Sequence, residues 1–195
     1  MEKIVLFDGS RESLLANWTQ IDGTPANWIC DGSAMTVNRG NIVSKVTFGD
    51  AHIHLEWREP DMPWTTGQFK GNSGVFVQGV YELQVLDSYG IGTPDNRDCG
   101  SIYNKIAPLV NACRPALVWQ SYDIYFRAPR FDASGAVTKH ARMTVLQNDT
   151  LILNNIEIDG ICGGPLMPYE VAEGPLMLQD HGDPVSFRNI WIEKI

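Results

Sequence analysis

Short runs of alternating apolar and polar residues, each closed by a turn signal, constrain this chain more than any other feature. Ile53, Leu55 and Trp57 interleave with His52, His54, Glu56 and Arg58; Tyr81, Leu83 and Val85 with Glu82 and Gln84; Tyr122, Ile124 and Phe126 with Asp123 and Tyr125. Residues two apart share one face of a strand, so each run offers one face to a core and one to water. Further strands are expected at Val75 to Val80, Arg142 to Leu146, Leu151 to Ile158, Gly174 to Gln179 and Val185 to Ile195. Turn pairs such as Asp8-Gly9, Asp31-Gly32, Arg39-Gly40 and Asp159-Gly160 fall between apolar runs. One short helix is expected, Arg11 to Asn17, with Ser10 as its cap and Leu14 and Leu15 docking. Strands at this spacing without crossover helices favour an all-β, antiparallel β-sandwich with a concave binding face; an up-and-down barrel gives a similar pattern.

The chain has 195 residues, a length at which all-β chains ordinarily form one domain, here 1–195. With 15 basic against 23 acidic side chains the net charge is −8, and no window gathers Lys and Arg, so nucleic acid and anionic membrane are poor partners. No run of about 18 apolar residues would insert into a bilayer. Met1 to Leu6 lacks the apolar centre of a signal peptide. A domain that enters its first strand at once is what a trimmed exported protein looks like, so a periplasmic or extracellular location is expected, with the cytoplasm as the alternative.

Cys30, Cys99, Cys113 and Cys162 lack zinc-ligand spacing. Cys99 and Cys113 flank the long irregular segment from Asp87 to Pro115 and are the pair to test for a disulfide, against the alternative of four buried thiols. That segment contains Ile102, Tyr103, Leu109 and Val110, which suits an ordered flap over the binding face. His52, His54 and Glu56 share one strand face, a pattern that more often marks a wet surface than a metal site, so no metal is expected. Trp18, Trp28, Trp57 and Trp191 read as core, Trp64 as exposed, and Trp119 as either. No phosphate loop, nucleophile elbow or Cys/His signature is present, and no cofactor is expected.

Leu6-Phe7-Asp8-Gly9, Leu55-Glu56-Trp57-Arg58, Asn72-Ser73-Gly74-Val75, Tyr81-Glu82-Leu83-Gln84-Val85, Gly100-Ser101-Ile102-Tyr103, Trp119-Gln120-Ser121-Tyr122-Asp123-Ile124, Leu178-Gln179-Asp180-His181-Gly182 and Phe187-Arg188-Asn189-Ile190 follow one another in an order that resembles the 3-keto-disaccharide hydrolase domain family. The resemblance covers nearly the whole chain. It implies a concanavalin A-like jelly roll, action on 3-keto glycosides and export from a bacterial cell. Two positions depart from the family pattern: Gln147-Asn148-Asp149 stands where an Asn-Gly turn is common, and Gln78 stands where many relatives carry Arg.

On the strand from Tyr81, Glu82 and Gln84 share the face away from the core. An ordinary glycosidase needs two carboxyl groups across the scissile bond; here the neighbour two residues on is an amide. One base suffices for a 3-keto sugar, because the ketone acidifies the C2 proton. The expected chemistry is elimination followed by hydration, with Glu82 or His181 as base. Gln84, Gln179 and Arg188 would bind hydroxyls or the enolate oxygen, with Asn72, Tyr103 and Glu56 as further sugar contacts. Arg188 has an alternative, a structural pair with Glu56. Asp87 has the wrong parity to join Glu82. The expected partner is a 3-keto glycoside or disaccharide, whose ketone a sugar 3-dehydrogenase would supply upstream. A non-catalytic carbohydrate-binding module is the alternative, and a purely structural sandwich a third.

Overall fold

A computed structural model describes residues 3–195. The order is β1 (Lys3–Phe7), α1 (Arg11–Asn17), β2 (Trp18–Gln20), β3 (Ile29–Cys30), β4 (Met35–Thr36), β5 (Ile42–Phe48), β6 (Ala51–Arg58), a 3-10 turn (Gly67–Phe69), β7 (Ser73–Val77) and β8 (Tyr81–Val85). There follow β9 (Gln120–Arg127), β10 (Arg130–Phe131), β11 (Val137–Lys139), β12 (Ala141–Gln147), β13 (Thr150–Ile158), β14 (Gly174–Leu178) and β15 (Ser186–Lys194). The larger antiparallel sheet runs β13-β12-β9-β6-β15-β4-β3, with β1 also on β15; the smaller runs β2-β5-β14-β7-β8. Strands β10 and β11 form a separate ribbon. The expected antiparallel β-sandwich is the fold.

Alternation explains the larger sheet. Ala51, Ile53, Leu55 and Trp57 of β6 are fully buried while His52, His54, Glu56 and Arg58 between them are only partly covered, and β9 and β12 repeat the pattern. Trp57 stacks on Tyr122 with centroids 4.0 Å apart, and Trp28 on Phe187 at 5.8 Å. Trp191 corrects the expectation of a core tryptophan: it lies on the outer face, with the Lys3 ammonium 3.9 Å from its ring centroid and His54 stacked at 5.2 Å. The reason is a register shift between Arg188 and Trp191 where β15 meets β6; Asn189, at φ 48°, takes the extra place, so Ile190 turns into the core and Trp191 faces outward.

Strands β7 and β8 are buried at every position, so both of their faces are covered. The flap covers one part. Gln84 N–H donates to Ser101 O and Gly100 N–H to Gln84 O, each at 3.0 Å, and Tyr103 N–H to Glu82 O at 3.1 Å, so the stretch from Gly100 to Tyr103 runs beside β8. Ile102 is buried there, whereas Leu109 and Val110 stay exposed. A second strap, residues 159–173, covers the rest. Cys162 N–H donates to Val80 O at 3.1 Å and Leu166 N–H to Gly79 O at 2.8 Å, and the Tyr81 hydroxyl donates to Glu170 Oε1 at 2.8 Å. Gln78 belongs to this fastening: its buried amide donates to Phe48 O and Ala172 O at 2.9 and 3.1 Å.

Local chemistry places the smaller elements. Ser10 Oγ accepts from Ser13 N–H at 3.0 Å and caps α1, which buries Leu14 but leaves Leu15 39% exposed, so one leucine docks instead of two. The strand expected to Val80 ends at Val77, because Gln78 and Gly79 adopt φ 54° and 71° and reverse the chain. The β12–β13 hairpin forms without glycine: Asn148 and Asp149 both take positive φ, 52° and 64°. Asn148 is held there by accepting from Ser121 N–H at 3.0 Å and donating to Ala112 O at 2.8 Å. Asp149→Gly is therefore expected to stabilise the fold by roughly 1 kcal/mol, read as a higher urea midpoint at constant m.

Candidate functional site

Between β7, β8 and the end of β14 on one side and the flap and strap on the other lies a cavity of about 180 Å³. Its walls are Gln68, Asn72, Glu82, Gln84, Tyr103, Gly163, Gly164, Gln179 and His181. Six of the eight residues singled out from sequence meet here: Glu82, His181, Gln84, Asn72, Tyr103 and Gln179. Strand parity brings Glu82 and Gln84 together on β8. Asn72 precedes β7, Gln179 follows β14, His181 stands exposed at the mouth, and Tyr103 comes down from the flap.

Glu56 and Arg188 are not among them. They lie on the outer face of the larger sheet, across the sandwich from the cavity, where Arg188 Nε donates to Glu56 Oε2 at 2.6 Å and Asn189 Nδ2 to Glu56 Oε1 at 2.9 Å. The Arg188 guanidinium also lies 4.1 Å from the Trp119 ring centroid. The structure does not bring them to the cavity that gathers the other six, because β15 belongs to the larger sheet and a side chain pointing out of the core there points away from β8; they line a separate hollow with Trp119 and Arg114. Arg188→Ala is expected to leave kcat/KM within about twofold of the parent and to cost no more than about 1 kcal/mol in urea unfolding, the ordinary worth of a partly exposed pair.

Glu82 is 3% exposed, and its carboxylate accepts no hydrogen bond from any described residue. Burial alone pushes it up to about 7. It occupies a slot made by two glycines: a Cβ on Gly163 would fall 1.8 Å from Glu82 Oε2, and one on Gly74 2.7 Å from Oε1. Gln84 Nε2 donates to Asn72 Oδ1 and Gln68 Oε1, both at 3.3 Å, and Asn72 Nδ2 to Gln68 O at 2.8 Å. Two buried amide oxygens, Gln84 Oε1 and Gln179 Oε1, have no protein donor; hydroxyl groups would satisfy them.

Glu82 is the one carboxylate on the cavity wall. The nearby aspartates are committed elsewhere: Asp180 accepts from Gly40 and Gly182 N–H, each at 2.8 Å, Asp183 from Asn72 N–H at 2.8 Å, and Asp87 pairs with Lys70 at 3.0 Å. On the outer sheet face His52 and His54 both meet Asp123 Oδ1 at 3.0 Å, and among the described residues no three His, Cys, Asp or Glu side chains are grouped to hold a metal ion.

Sequence reasoning missed Gln68, Gly163 and Gly164. The Gly163-Gly164-Pro165 run reads as one more turn, and only the tertiary fold puts it against Glu82. Nothing local marks Gln68.

A β-sandwich with a flap-covered hollow of polar amides, a phenol, an imidazole and one buried carboxyl group has the form of a carbohydrate-active protein. The chain belongs to the 3-keto-alpha-glucoside-1,2-lyase-like domain family, whose pattern matches residues 2–193. A 3-keto-disaccharide hydrolase of Bacteroides thetaiotaomicron is 24% identical over 237 residues, covering 97% of this chain and 77% of that protein. A crystal structure of a Parabacteroides distasonis protein, provisionally named a glycosyl hydrolase, is 41% identical and superposes with a TM-score of 0.89 over 99% of this chain and 84% of that one. A carbohydrate binding module from Bacillus subtilis shares the fold alone, at 13% identity and a TM-score of 0.51 over 94% of each chain.

Proposed function

We propose that this chain, acting as one domain, cleaves the glycosidic bond of 3-keto glycosides by elimination followed by hydration, with Glu82 as the single base. The observation that carries the reading is the solitary carboxyl group, held free of hydrogen bonds and raised to about 7 by burial, in a hollow of a size that suits one pyranose ring. Glu82 takes the C2 proton, the electron pair forms an enolate on the C3 oxygen, and the C1–oxygen bond breaks. Gln179 and Tyr103 offer N–H and O–H donors to the enolate, Gln84 and Asn72 hold hydroxyls, and His181 at the mouth gives a proton to the departing oxygen. Water then adds at C1 while Glu82 returns a proton to C2, so the net change is hydrolysis. A two-carboxylate mechanism finds no second acid on this wall. The reading rests also on the family and on the name of the Bacteroides relative.

Such a substrate must first be oxidised at C3 by a sugar 3-dehydrogenase, and an exported setting, periplasmic or extracellular, fits a protein that meets disaccharides. Incubation with a 3-keto disaccharide and its unoxidised parent tests the proposal. Cleavage of the keto form alone is expected; binding of either without product would favour a carbohydrate-binding module instead. The base works deprotonated, so kcat/KM is expected to rise tenfold per pH unit below about 7, an acid limb that pH–rate measurement reads directly.

A further inference from the structure

Cys99 and Cys113 lie in the flap, and the proposed chemistry uses neither. Their sulfurs gather around one amide: Gln147 Nε2 is 3.6 Å from Cys99 Sγ and 3.4 Å from Cys113 Sγ. Both sulfurs approach the same nitrogen, which also meets Gln120 Oε1 at 3.2 Å, so they lie within about 7 Å of each other, and the Cys113 thiol is near enough to act on the Cys99 thiol. Cys99 is buried and Cys113 half-buried, which leaves Cys113 the reachable one. The other two thiols lie apart, Cys30 Sγ at 3.1 Å from Gly9 O and Cys162 Sγ at 3.2 Å from Glu82 N.

We propose that Cys99 and Cys113 form a thiol–disulfide exchange site for a low-molecular-weight disulfide of the oxidised-glutathione class, and that the resulting internal disulfide fastens the flap. The Cys113 thiolate attacks one glutathione sulfur, forming a mixed disulfide and releasing one glutathione thiol. Cys99 then loses its proton to solvent, attacks the Cys113 sulfur and expels the second glutathione thiol. Two protein thiols are oxidised and one glutathione disulfide is reduced, so the exchange balances. Burial first, and then the Cys113 thiol beside it, holds the Cys99 thiol well above the ordinary range, which makes the second step the slow one and faster at alkaline pH.

The bond matters because of what lies inside the loop it closes. Gly100 N–H and Ser101 O bond the backbone of Gln84, and Tyr103 N–H bonds that of Glu82. These contacts follow directly on Cys99, so tying Cys99 to Cys113 restrains the strand that walls the cavity. The inference does not depend on what the cavity binds.

The full chain equilibrated with oxidised or reduced glutathione, acid-quenched, unfolded, alkylated and mapped by peptide mass tests it. Under oxidation Cys99 and Cys113 are expected to leave the alkylated pool together as one cross-linked peptide pair while Cys30 and Cys162 stay alkylated. The Tm is expected to rise by roughly 5–10 °C and to fall back on reduction. In Cys113→Ser the cross-link and the rise should both vanish. Full alkylation of Cys99 and Cys113 under oxidation, a glutathione adduct that persists on Cys113 with Cys99 free, or a cross-link without a Tm rise would each overturn the proposal.

Discussion

Gly163→Ala is expected to lower kcat/KM by about 100-fold or more while the protein still folds. The added Cβ would stand 1.8 Å from Glu82 Oε2, and the backbone at φ 70° disfavours any side chain. Something must shift, and the carboxylate, with no hydrogen bond to hold it, is the group free to move. Strain in the strap costs about 1–2 kcal/mol, which urea unfolding would register as a modest loss. The strap's other fastenings, at Val80, Gly79 and Tyr81, are untouched. Activity within a fewfold of the parent would mean that Glu82 does not need that slot.

Glu82→Gln is expected to remove turnover by about 10³-fold or more, and to make the protein more stable. The carboxyl group is raised from 4.5 to about 7 on folding because burial penalises its charge. The folded state therefore holds this proton more tightly than the unfolded chain. Its contribution to stability is complete below about 4.5 and is lost as pH rises to about 7. A neutral amide of the same shape does not titrate. Near pH 8 the variant should exceed the parent by about 3 kcal/mol, and near pH 4 the gap should close. Glu59, also raised to about 7, chiefly by burial, titrates in both proteins and cancels from the difference. Urea unfolding of the pair across that pH range measures it; equal stabilities at pH 8 would show that the carboxylate is solvated.

How far the sequence speaks for the site depends on whether a residue's place follows from its own strand. Glu82 and Gln84 are two apart on a strand whose other face is Tyr81, Leu83 and Val85, so their common face is legible. That the same face is roofed by a flap and a strap, burying both side chains, is a tertiary fact. Parity also says that Arg188 points away from Phe187, but not which sheet β15 joins, and that decides on which side of the molecule the guanidinium emerges. The bulge at Asn189 hides Trp191 in the same way, by breaking the period the reading relies on. Strand β5 escapes because Ser44 occupies an inward position; its Oγ donates to Val46 O at 2.7 Å and accepts from Leu176 N–H at 2.9 Å, a pairing invisible to an apolar pattern. Gly163 is unreadable for a related reason: a missing Cβ matters only through what fills its place.

Transfer of the C2 hydrogen to Glu82 is the step on which the account stands. A 3-keto glycoside carrying deuterium at C2 should react at least twofold more slowly in kcat/KM than its protiated counterpart. Equal rates with deuterium retained at C2 would mean that the bond to C1 breaks without proton removal, and the one-base mechanism would be wrong.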